Sequence, residues 1–166
     1  YFITFYSIYD EMEFYIYTDG ASRGNPGASA SGYLILDSSK KEILREVLYN
    51  GKKTNNFAEY MAIIYALEKV KELYGLDNDL IITSDSELVV KQINGLYKVK
   101  DKYLKVLNRR VKELSSKFKS CKFLNVRREN RYISIVDREL NMFLDRISDN
   151  NLKDKSNYYK QSGLKL

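Results

Sequence analysis

Hydrophobic positions near the start of the chain fall in short runs rich in β-branched and aromatic side chains, with polar turns between them. Phe14–Thr18 reads as a strand ending at Asp19-Gly20, and Ala28–Asp37 and Glu42–Lys52 as two more, joined by the polar turn DSSKK. Between the first two, ASRGNPG at 21–27 is turn chemistry: two glycines, an asparagine and the only proline. From Asn56 to Tyr74 the period changes. Phe57, Tyr60, Met61, Ile64, Leu67 and Leu73 recur mostly at three- and four-residue steps, the mark of an amphipathic helix, and Gly75 stops it. Asp79–Ser84 is short and nearly all apolar, as expected of a strand buried on both faces. Helices over Ser86–Asn94 and Lys102–Phe118, a fifth strand over Lys122–Arg127 and a last helix over Asp137–Ser148 complete the pattern. The order βββαβααβα predicts an α/β fold: a five-stranded mixed sheet with helices on both faces.

Length and composition narrow the picture. With 166 residues, 44% hydrophobic and 30% charged, the chain has the size and balance of one folded domain, expected over 1–149. Residues 1–12 are expected to be an N-terminal extension and 150–166 a polar tail. The aromatic opening lacks the basic leader and small-residue cleavage site of a signal peptide, and no apolar run approaches the ~20 residues needed to cross a bilayer. A monomer in the cytoplasm, without membrane contact, is the expectation.

Cys121 is the only cysteine, so no internal disulfide forms, and histidine is absent. Histidine-based nucleophile schemes and His- or Cys-ligated zinc fall away together. Charge is uneven: residues 1–85 carry 8 basic and 13 acidic side chains, residues 86–131 carry 14 and 4. A basic segment inside a folded domain fits either a polyanion partner or a solvated helix face. Lys102, Lys105, Arg109 and Lys112 form one such stripe, and Arg127, Arg128 and Arg131 lie in the next loop.

Four acids stand at junctions between elements. Asp19 ends the first strand, Glu59 is in the first turn of the first helix, Asp85 ends the central strand and Asp137 begins the last helix. Strand ends in the middle of an α/β sheet are where ligands bind. Singly, each acid has a simpler explanation: a hairpin turn at Asp19-Gly20, a capping box over Asn56–Glu59, N-caps at Asp85 and Asp137. Together they would repel, by about 4 kcal/mol per pair at ~4 Å and an effective dielectric near 20. Two divalent cations would neutralise them, and an all-oxygen ligand set favours Mg²⁺ or Mn²⁺.

The wording around the acids goes further. YTDGASRGNPG at 17–27, SGYLILD at 31–37, TNNFAEYMAIIYAL at 54–67, ITSDSELVVKQING at 82–95 and VDRELNMFLD at 136–145 resemble type 1 ribonuclease H, block by block and in order. The resemblance implies a ribonuclease H-like fold and an endonuclease that hydrolyses the RNA strand of RNA–DNA hybrids, leaving 5′-phosphate and 3′-hydroxyl ends. It implies that Asp19, Glu59, Asp85 and Asp137 bind two Mg²⁺ ions, with Mn²⁺ as a substitute. It implies that Asn25, Asn55 and Asn56 touch the minor groove and the RNA 2′-hydroxyls, which distinguish RNA from DNA. Thr54 with Asn56 matches a pocket for a DNA-strand phosphate, and Gly20 and Ser86 are carried over as substrate contacts beside their acids.

Three positions depart from the family. Glu87 stands where a glutamine is usual. Six residues separate Asn130 from Asp137, a longer spacing than usual; without an insertion Ser134 would take the acid's place, but Leu140, Asn141 and Asp145 continue the pattern after Asp137. The loop histidine of some members is missing, with Glu129 nearby. The long basic protrusion is absent too, because GLYKVK at 95–100 runs directly into the third helix. Two other classes stay open: a hybrid-binding module of the same fold with weakened chemistry, and an integrase-like transferase, against which the GNPG and NN elements argue.

Overall fold

Side-chain parity along the first strand sets the architecture. Phe14 and Ile16 are buried in one apolar cluster and Tyr17 in another, so successive residues face opposite sides of the sheet. The computed structural model describes residues 12–149. Residues 1–11 of the expected extension over 1–12 and the tail from residue 150 lie outside the described residues, and Met12 opens the first strand instead, its N–H bonded to Asn78 Oδ1 at 3.3 Å. The elements are β1 (Met12–Gly24), β2 (Gly27–Leu36), β3 (Glu42–Lys53), α1 (Asn55–Tyr74), β4 (Asn78–Ser84), α2 (Glu87–Ile93), α3 (Lys102–Ser115), β5 (Ser120–Asn125) and α4 (Arg131–Asp149). Their order is the one the sequence pattern predicts.

The strands lie in the order β3-β2-β1-β4-β5. β1, β2 and β3 form an antiparallel meander, and β4 and β5 add parallel to the other edge of β1. Phe14, Ile16, Tyr33, Ile35, Leu80 and Ile82 pack beneath α1, with Leu104 and Val111 of α3 behind. Tyr17, Ala30, Leu34 and Leu36 face α4, which returns Ile133, Val136, Leu140 and Leu144. Helices therefore cover both faces.

Several boundaries differ from the expectation, each for a local reason. β1 does not end at Asp19-Gly20. It runs on to Gly24 because β2 pairs with it through Gly20↔Ser31 and on to Gly24↔Gly27, which leaves only Asn25-Pro26 as the turn. The first helix begins at Asn55, since Thr54 is the N-cap and its Oγ1 accepts from the Phe57 N–H at 3.2 Å. No capping box forms around Glu59, which sits in the second turn. α2 is capped by Ser86 rather than Asp85. α3 stops at Ser115, and Phe118 is buried beyond its end. β5 spans residues two earlier than expected because its ladder follows β4, pairing Asp79 with Ser120 and Ser84 with Asn125.

The largest correction is at α4. Asn130 Oδ1 accepts from the Tyr132 and Ile133 N–H groups at 3.0 and 3.3 Å and starts the helix at Arg131. Ile133, Val136, Leu140 and Leu144 form a buried stripe at helical spacing, so the apolar face begins before Asp137. Asp137 thus lies in the second turn, and the added residues after Asn130 are helix rather than loop.

Candidate active site

Backbone register brings the first two acids together. The parallel β1–β4 ladder pairs Thr18 with Ser84, so Asp19 and Asp85 follow side by side. Glu59 reaches them from α1, which lies against β1 at a residue without a side chain. A Cβ on Gly20 would sit 2.7 Å from Ala58 O and closer still to Glu59 N. Ser31 Oγ, opposite Gly20 in the ladder, donates to the same Ala58 carbonyl at 2.6 Å. A second glycine admits α4 on the other face. Gly32 is opposite Asp19, and a Cβ there would meet Val136 Cγ1 at 2.9 Å and Leu140 Cγ at 3.2 Å. Asp137 is the neighbour of that valine.

Asp19, Glu59 and Asp85 each offer a carboxylate oxygen within 4.8 Å of the others. Asp19 and Glu59 are 5% exposed. Burial is the main cause that pushes the Asp19 carboxyl up to about 7, followed by the charges of Asp85 and Asp137. The Gly20 N–H, donating to Asp19 Oδ1 at 2.9 Å, and the Arg128 charge oppose the shift. Glu59 is raised well above the carboxylate range, first by burial and then by Asp19 and Asp85. Asp85 is raised by burial, with Arg128 pulling it back. Glu59 Oε2 is buried without a hydrogen-bond partner among the described residues. Such an oxygen, among acids whose ionisation burial opposes, fits a hard cation.

Asp137 stands outside this tight trio. Its charge acts on Asp19 and Asp85, but its Oδ1 accepts from Arg128 Nη2 at 2.7 Å. That hydrogen bond is the main cause raising the Arg128 pKa. Ser134, the other candidate for the acid's place, donates to the Arg128 carbonyl at 3.4 Å. The pairing of Arg128 with Asp137 was not legible from spacing, although the loop arginines mark the region as basic.

The remaining candidates sit at the β1–β2 turn, the start of α1 and the start of α2. Asn25 Oδ1 accepts from the Asn55 N–H at 3.2 Å, joining the β1–β2 turn to the start of α1. Asn55 and Thr54 are exposed and Asn56 half-buried. Ser86 is half-buried beside Asp85 and caps α2. Gly20 is held beneath α1 by the close approach already described. Glu87 pairs with Lys91 one turn on, which offsets its charge. Glu129 is exposed in the loop before α4. Arg23, to which the sequence pattern assigned no role, bonds Asp145 Oδ1 at 2.6 Å and ties the hairpin to α4.

Known proteins resemble this chain in sequence and fold. Residues 17–134 match the sequence profile of the reverse transcriptase-like family. The ribonuclease HI of Halobacterium salinarum is 38% identical over 112 residues. The chain belongs to the reverse transcriptase-like family of ribonuclease H domains. The match covers 68% of this chain and 55% of the Halobacterium protein. The N-terminal RNase H domain of Rv2228c from Mycobacterium tuberculosis superposes on this ribonuclease H domain with a TM-score of 0.76 at 30% identity, covering 84% of this chain and 99% of that one. LC11 ribonuclease H1, isolated from compost and solved with an RNA/DNA hybrid, gives a TM-score of 0.67 at 33% identity and covers 79% of this chain and 99% of that one. This ribonuclease H domain matches only 35% of the full-length bifunctional protein Rv2228c. No described helix is long and apolar enough to cross a membrane.

Proposed function

We propose that the protein is an endonuclease that hydrolyses the RNA strand of RNA–DNA hybrids. The observation that carries this reading is the trio Asp19, Glu59 and Asp85, with carboxylate oxygens within 4.8 Å of one another and a buried Glu59 oxygen that has no hydrogen-bond partner among the described residues. The solved LC11 ribonuclease H1–hybrid complex supports the substrate class. The ligand set fits two Mg²⁺ ions, with Mn²⁺ as a substitute, held by Asp19, Glu59 and Asp85 together with Asp137. When bound, such ions supply an activated water and stabilise the leaving oxygen. Water adds to phosphorus and the P–O3′ bond breaks, leaving a 5′-phosphate on one product and a 3′-hydroxyl on the other.

The chain's own residues hold the substrate. Asn25 and Asn55, coupled across the turn, and Asn56 read the 2′-hydroxyls in the minor groove. Thr54, beside Asn56 at the N-terminus of α1, receives a phosphate of the DNA strand where the helix amides favour an anion. Gly20 and Ser86 line the site next to their acids. The unit is a single domain acting as a monomer in the cytoplasm.

The Arg128–Asp137 pair favours a second reading, a hybrid-binding module in which one ligand is diverted from metal. One assay separates the two. Hybrids labelled separately on each strand are incubated with Mg²⁺ and wild type or Asp85→Asn. RNA-strand cleavage by wild type alone supports the nuclease; binding without cleavage by either protein supports the module.

A further inference from the structure

The site described above leaves unused a cationic face of α3. On α3, Lys105, Arg109 and Lys112 line an open groove of about 450 Å³ with Val99, Asn108 and Glu113. Among the described residues none of these three cations has a carboxylate within ion-pairing distance. Their neighbour Arg110, on another side of the helix, is neutralised by Glu68. Asp101, at the head of the helix, is engaged as its N-cap, accepting from the Tyr103 and Leu104 N–H groups at 2.8 and 2.9 Å. Lys102 continues the stripe and lies over the Tyr103 ring at 4.9 Å. A stripe of like charges left unpaired repels itself, and a polyanion relieves that repulsion.

The length fits a nucleic-acid strand. Lys102 to Lys112 spans ten residues, ~15 Å at ~1.5 Å per residue. At ~3.4 Å per phosphate along one strand, that is about four phosphates. The helix is also tied to the acid site. Asn108 Nδ2 donates to Tyr60 Oη at 3.0 Å, Tyr60 Oη donates to Gln92 Oε1 at 2.9 Å, and Tyr60 follows Glu59.

We infer that the Lys102–Lys112 face of α3 is a second phosphate-binding surface, gripping a nucleic-acid strand that extends beyond the acid site. This rests on the hybrid being the substrate. The contact is electrostatic and indifferent to sequence, and each phosphate neutralised releases counterions.

The test measures binding of a 24-base-pair RNA–DNA hybrid to the full chain by fluorescence anisotropy across a KCl series. Asp85→Asn is the background in every protein, so that the probe is not cut. Lys105→Gln, Arg109→Gln and Lys112→Gln are combined, and Lys71→Gln, Lys117→Gln and Lys122→Gln form a control of equal charge change. The stripe variant is expected to lower the slope of log K against log[KCl] by about 2.7, at about 0.9 per phosphate lost, while the control stays near the parent. Circular dichroism confirms that each variant is folded. An unchanged slope, or an equal change in the control, overturns the inference. Cleavage of the hybrid by the Asp85 protein carrying the stripe substitutions, measured separately, tells the two readings apart: normal cleavage with an unchanged slope removes only the second surface. A lowered slope in a chain that never cleaves leaves the second surface standing and removes the nuclease.

Discussion

Gly20→Ala is the smallest change that should separate the acids. A methyl group at Gly20 would lie 2.7 Å from Ala58 O and nearer to Glu59 N, all of it backbone within α1. Carbon contacts are comfortable at about 3.5–4.0 Å, so the first turns of α1 must move by at least about 1 Å. Backbone in a capped helix has no rotamer to yield, and the Ser31–Ala58 hydrogen bond holds the same spot from β2. Overpacking of this kind costs about 1–3 kcal/mol, and the rigid neighbour argues for the upper end. Glu59 moves with the helix, and a misplacement of about 1 Å can cost on the order of 100-fold in rate. Two measurements check this: the urea midpoint followed by circular dichroism, and the rate of hybrid cleavage in saturating Mg²⁺. A Gly20→Ala protein with an unchanged midpoint and a rate within threefold of wild type (about 0.65 kcal/mol) would refute the argument that this glycine sets the position of Glu59.

Gly32→Ala should be milder, because its obstacle is the Val136 side chain at 2.9 Å; adding Val136→Ala should recover stability, and strict additivity of the two in urea unfolding would show that they do not touch. Arg128→Gln removes the cation that holds down Asp19 and Asp85, so the rising limb of the pH–rate profile should move to higher pH; a superimposable profile contradicts this role. In EDTA, Asp19 and Glu59 keep protons that the unfolded chain releases at ordinary carboxyl pKa values, so stability should fall as pH rises from about 4, the Asp19 part of the loss being complete above its value of about 7. Thermal unfolding at pH 5 and pH 8 reads this directly; Mg²⁺ should restore the pH 8 melting temperature, and a chelated protein more stable at pH 8 would contradict it.

Element types were readable because long apolar patterns dominate them; boundaries were not, because pairing decides them. ASASGYLIL is rich in small residues with little preference for strands, yet its opening residues extend the ladder past Asp19-Gly20. The start of α4 carried its own signal in the spacing of Ile133, Val136 and Leu140, which the motif around Asp137 masked. For the site, spacing alone allowed four unrelated caps and turns. What unites three of the acids is a parallel register, Thr18 against Ser84, and a glycine whose role is to have no side chain. Neither can be counted from a linear pattern. The wording of the motif blocks carried that information indirectly, since Gly20 and Asp85 lie inside them.

Burial and partnering explain why one acid differs from the others. Asp19 lies within β1, Asp85 directly follows β4 and Glu59 rides on α1, so the trio is set by the β1–β4 register and by the close approach of α1 at Gly20. Asp137 hangs from α4 and is paired with Arg128. Asp19 and Glu59 are buried enough for desolvation to dominate their ionisation, while the Asp137 side chain is 27% exposed and the Arg128 side chain 70% exposed. A cation entering the trio replaces no protein contact at Glu59 Oε2, because that oxygen has none among the described residues. A cation that takes Asp137 must displace a guanidinium, although one held in solvent, where an ion pair contributes only about 0–1 kcal/mol. On the proposed two-ion reading, binding at the buried trio would be limited by desolvation and proton release, and binding at Asp137 by exchange with Arg128, so the two positions would differ in pH dependence even though every ligand is a carboxylate.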